Sequence, residues 1–128
     1  MSYYFNTVLQ CSFDEAIDRV IEELKKEGFG ILSEIDVQAA LKKKLNVDFK
    51  KYRILGACNP PYAYQALQVE EKIGTMLPCN IIILENDAGE IEVAAIDPIA
   101  SMQAIANPKL QDTAENVQTK LKKIIESL

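Results

Sequence analysis

Four consecutive branched residues, Ile81-Ile82-Ile83-Leu84, are followed by Asn86-Asp87-Ala88-Gly89 and then by a second apolar stretch, Ile91 to Ile96. The middle tetrad supplies turn residues and a glycine free to take a positive φ, so the segment is predicted to be a β-hairpin. A strand with no polar alternation is one buried on both faces or set at a dimer seam, so the rest of the chain must provide layers to cover it.

Those layers are visible on either side. Ser12-Phe13-Asp14-Glu15 matches a capping box, in which the Ser12 hydroxyl accepts from the amide three residues on. Phe13, Ala16, Ile17, Val20, Ile21 and Leu24 then recur at helical spacing and Gly28 follows as a left-handed cap, predicting a helix near 13–27. Tyr3 to Gln10 reads as a strand before it and Phe29 to Ile35 as a strand after it. Asp36 can cap a shorter helix with Val37, Ala40, Leu41 and Leu45 on its apolar face. Tyr52 to Ala57, interrupted by Gly56, is a third strand. It runs into Asn59-Pro60, where asparagine as N-cap and proline at the first helical position predict a helix from about Pro61 to Ile73. After the hairpin come Asp97-Pro98, a short helical segment near Ser101 to Ala106, a break at Pro108 and a last helix near Leu110 to Leu128. The order is β-α-β-α-β-α-β-β-α-α. With no repeat or linker in 128 residues, the expectation is one domain spanning 1–128.

Fourteen basic against nineteen acidic residues give a net charge of −5, the wrong sign for displacing counterions from a phosphate backbone, so no nucleic-acid partner is expected. The lysines Lys42-Lys43-Lys44 read as a solvated helix face. No stretch approaches the roughly 20 apolar residues of a membrane span, and Met1-Ser2-Tyr3-Tyr4-Phe5 has no basic leader. Three cysteines without tight spacing fit a reducing compartment, and the cytoplasm is the expected location.

The chain has no histidine, which removes the commonest general base and metal ligand and excludes serine-histidine and cysteine-histidine hydrolysis. Gly28-Phe29-Gly30 lies at a helix-to-strand junction, whereas a phosphate cradle needs glycines that open a helix. No metal site is expected, since zinc wants four ligands and three cysteines would have to recruit a carboxylate. No cofactor is implied. Cys11 reads as a small buried thiol. Cys58 precedes a helix N-terminus, whose dipole would favour a thiolate, and Cys79 opens the most apolar strand.

Ile54-Leu55-Gly56-Ala57-Cys58-Asn59-Pro60 and Met76-Leu77-Pro78-Cys79-Asn80, with Gly28-Phe29-Gly30-Ile31-Leu32 upstream, resemble the bacterial and archaeal family catalogued as domain of unknown function 302. The likeness covers nearly the whole chain. It implies an α+β two-layer sandwich: a curved, mostly antiparallel sheet of about five strands with helices on one face, similar in topology to a TATA-binding-protein repeat. It also implies a homodimer, and it implies no activity. Helices between strands would ordinarily suggest parallel crossovers. The antiparallel order implied by the resemblance instead brings Cys58 and Cys79 to one edge of the sheet. The expected role is then a non-enzymatic module binding a small molecule or a partner at Cys58, Asn59, Pro60 and Cys79. The alternatives are a thiol-dependent redox or transfer protein with Cys58 as nucleophile and Cys79 as resolving thiol, or an assembly protein anchored by the apolar strand and by Tyr3, Tyr4, Tyr62 and Tyr64.

Overall fold

The computed structural model describes residues 2–128; Met1, part of the segment read above for a leader, lies outside them. Five strands, β1 (Tyr4–Leu9), β2 (Gly30–Asp36), β3 (Tyr52–Cys58), β4 (Cys79–Glu85) and β5 (Ile91–Ile96), form one sheet. Its spatial order is β1-β5-β4-β3-β2, with every neighbouring pair antiparallel. The helices are α1 (Phe13–Lys26), α2 (Val37–Leu45), α3 (Pro60–Val69), α4 (Pro98–Ser101) and α5 (Gln111–Ser127). The α+β sandwich expected from the resemblance is the one observed. Among the described residues no helix is long and apolar enough to cross a membrane.

The β4–β5 hairpin forms as its turn residues require. Asn86 Oδ1 accepts from the amides of Ala88 and Glu90, each at 3.0 Å, and Gly89 takes φ +77°. β4 is the central strand. Ile81 and Ile83 are buried under α1 and α5, together with Leu55, Val93, Val20, Leu24 and Leu121. Ile82 and Leu84 point to the opposite face and stay half-buried, so the apolar run is covered by helices on one side only. α1 begins with the Ser12 hydroxyl accepting from the Glu15 amide at 3.1 Å and buries Phe13, Ala16, Ile17, Val20 and Leu24 of the stripe read from the sequence, with Ile21 half-buried.

Three elements differ from their sequence reading. The helix expected over Pro61 to Ile73 is split into α3 and a 3₁₀ segment, Glu71–Met76, with Glu70 extended between them. Asn107 Nδ2 donates to the Val69 carbonyl at 2.7 Å, so a group far along the chain takes an acceptor at the helix end. The short helix expected near Ser101 to Ala106 instead starts at Pro98, where Asp97 Oδ1 accepts from the Ile99 amide. α2 is capped by Asp36 as expected, but none of its residues is buried and Leu45 is exposed.

The packing makes a direct test. Leu121→Ala is expected to lower unfolding free energy in urea by about 2–5 kcal/mol, whereas Lys122→Ala on the outer face of α5 shifts it by no more than ~0.5 kcal/mol. Equal effects would mean that α5 packs through another face.

Candidate functional site

β3 and β4 fix the site by their register. Ala57 pairs with Cys79 and Gly56 with Asn80, so the last residue of β3, Cys58, lies beside the entry into β4. Cys58 also pairs with Gly30 on β2. Cys11 follows β1 at the other end of the sheet, where Leu9 pairs with Ile91. Between Cys58 and Cys79 the chain leaves as α3 and returns through the 3₁₀ segment. Ala66 and Ile73 on this excursion pack with Leu110 into a second, smaller apolar cluster.

A cavity of about 330 Å³ separates that cluster from the main core. Ala57, Cys58 and Cys79 supply its sheet side, Tyr62, Ala63 and Ala66 its α3 side, and Ala114 and Val117 its α5 side. Among the described residues that line it, none carries a charged side chain.

Asn59 is the one buried polar residue among the described residues, and it lines this cavity. It occupies the N-cap position of α3, with Pro60 at the first helical position, yet its side chain makes no capping bond. Its Nδ2 donates instead to the carbonyl of Glu27 at 3.0 Å. Glu27 ends α1, and Gly28 follows at φ +87°. The amide of Phe29 donates to the Leu24 carbonyl and that of Gly28 to the Lys25 carbonyl, the paired bonds of a Schellman cap. A Cβ on Gly28 would come within 3.3 Å of Asn59 Nδ2. The Glu27 carboxylate reaches α5, pairing with Lys123 at 3.1 Å and Lys120 at 3.6 Å, and the Lys123 ammonium holds it below the usual carboxylate range. One residue thus joins α1, α3 and α5 around the cavity.

The family described as Domain of unknown function DUF302 matches residues 5–128. The chain belongs to the DUF302 family. The crystal structure of an uncharacterized conserved DUF302 protein from Bacillus stearothermophilus superposes with a TM-score of 0.91 at 26% identity, covering 98% of each chain. No functionally curated protein matches the sequence.

In this DUF302 chain, Cys58, Asn59 and Cys79 meet at one cavity, while Pro60 is exposed and is not among its lining residues. The sequence did not mark the lining from Phe29, Pro98, Met102 or Val117, which arrives from distant elements and looks locally like ordinary core. The Cys79 thiol is pushed up to about 11, first by burial and then by the neighbouring Cys58. Near neutral pH it is an uncharged thiol. All three cysteines are free, and among the described residues no three His, Cys, Asp or Glu side chains gather to hold a metal ion.

Two outcomes follow from this geometry. Gly28→Ala is expected to cost about 1–2 kcal/mol of stability in denaturant unfolding, because an L side chain must sit in the left-handed region and press on the Asn59 amide. Peptide-mapped iodoacetamide labelling of the native protein should give Cys79 a midpoint near pH 11, against ~8.5 for an ordinary cysteine. The folded state holds this proton more tightly than the unfolded chain. Its contribution to stability is therefore complete below ~8.5 and is lost as pH rises towards 11. A Cys79 midpoint at the ordinary value would contradict its burial.

Proposed function

We propose that this DUF302 protein is a small-molecule binding module whose ligand enters the cavity at the Cys58 and Cys79 end of the sheet. The observation that carries the reading is a cavity of about 330 Å³ walled by apolar side chains, with a single buried amide and no charge. Ligand sites are typically concave, mostly apolar and supplied with a few polar groups. A cavity of ~150 Å³ holds benzene, so this one has room for about a dozen non-hydrogen atoms. A redox role for the thiol pair has weaker support, because a resolving thiol must ionise and burial pushes Cys79 up to about 11. Three free thiols suit a reducing compartment, and we assign the module to the cytoplasm.

Naphthalene, with ten carbons, is the probe. The native protein should show a saturable rise in melting temperature with naphthalene, and Ala63→Phe, which fills the cavity from α3, should abolish that rise while keeping the native far-UV dichroism. No rise with the native protein, or an undiminished one in the variant, would remove the proposal.

A second reading concerns the sheet face away from the helices. Ile35, Ile54, Ile82, Leu84 and Ile96 lie on it as the register places them, with Asn6, Ser33 and Asn80 and, among the described residues, a single carboxylate, Glu92. A nearly uncharged face with this apolar row suits a second copy of the chain, since interface cores are depleted in charge. Light scattering should give twice 14.3 kDa for the native protein and 14.3 kDa for Ile82→Glu. A native protein that stays at 14.3 kDa across concentration would exclude this dimer.

A further inference from the structure

The ligand class of this cavity can be taken further, on the basis of the binding role proposed above. A buried side-chain amide ordinarily has its hydrogen-bonding groups satisfied. Asn59 Nδ2 is committed to the Glu27 carbonyl at 3.0 Å, whereas its carbonyl oxygen Oδ1 has no donor among the described residues. The residue is only 7% exposed, yet among the described residues the one fully buried side-chain polar atom without a partner is Arg53 Nε, so Asn59 Oδ1 keeps accessible surface through which a donor can reach it. It lines the cavity where Cys58 at the end of β3 leads into α3, which carries Tyr62. Its position is set by the Nδ2 bond to the Glu27 carbonyl and by Gly28, whose left-handed backbone closes the end of α1 and leaves the amide the room that a Cβ would take. The cavity offers the Asn59 oxygen as an acceptor in a mostly apolar wall, with Tyr62 and Thr113 as its hydroxyl-bearing residues. It offers no cation to a carboxylate or phosphate.

We infer that the ligand is a neutral, mostly apolar molecule carrying one hydrogen-bond donor, a phenolic or alcoholic hydroxyl or an N–H, which donates to Asn59 Oδ1. A ligand of the same shape without the donor fills the space but leaves the oxygen unpaired. An anionic ligand must shed its water without gaining a counter-charge and also brings an acceptor towards an acceptor.

Three probes of one skeleton separate these cases: naphthalene, 2-naphthol and 2-naphthoate. At pH 7 the phenol is neutral and the carboxylate ionised. Calorimetric titration of the native protein should find 2-naphthol about 3–10-fold tighter than naphthalene, the range expected of one hydrogen bond, and 2-naphthoate at least about 10-fold weaker than 2-naphthol. Asn59→Leu should bring 2-naphthol and naphthalene to equal affinity while retaining naphthalene binding. If that variant does not fold, the native series still decides. A 2-naphthoate affinity equal to or above that of 2-naphthol, or no preference for 2-naphthol over naphthalene, overturns the ligand class and leaves the cavity as a binding site. Failure of all three probes to bind overturns the binding role itself and the ligand class with it.

Discussion

The antiparallel pairing of β3 with β4 is the constraint on which the site depends. With Ala57 opposite Cys79, the end of one strand meets the beginning of the next, and everything between them must leave the sheet and come back to the same place. The intervening residues do so as α3 and a 3₁₀ segment. Ala66 and Ile73 gather with Leu110 in a separate cluster, while Tyr62 packs against the main core. The cavity is the space left between the two clusters. A parallel crossover would have carried Cys79 to the far end of the sheet and removed it.

The walls are held by contacts centred on the end of α1. Gly28 turns the chain, the Glu27 carbonyl takes the Asn59 amide, and the Glu27 carboxylate holds Lys123 and Lys120 of α5. The ion pairs are partly solvated and contribute little each. The buried amide matters more, because removing its partner would strand a polar group in an apolar wall. The same burial that makes Asn59 a fixed acceptor keeps the Cys79 thiol protonated. Among the described residues that line the cavity none is charged, and Asn59 is the one buried polar residue.

Much of the fold was legible in the sequence because its signals are local. The capping box at Ser12, the cap at Gly28 and the turn at Asn86 to Gly89 each act within a few residues and appear as read. The failures are tertiary. Asn107, thirty-eight residues away, takes the Val69 carbonyl where α3 ends, and no local pattern shows this. Asn59 was legible as an N-cap by position, but its side chain turned to Glu27, a competing acceptor brought near only by folding. The cavity was half-legible: the antiparallel order puts Cys58 and Cys79 at one end of the sheet, whereas Phe29, Met102 and Val117 carry no signal separating lining from core.

An uncharged cavity between α3 and the sheet end, open to a neutral ligand, is the centre of this account. Crystals soaked in 2-bromonaphthalene and measured at the bromine absorption edge test it most directly. The account expects one strong anomalous peak between Ala63 and Cys79. A peak confined to the open sheet face near Tyr52 and Ile82, or none in the cavity, would contradict it.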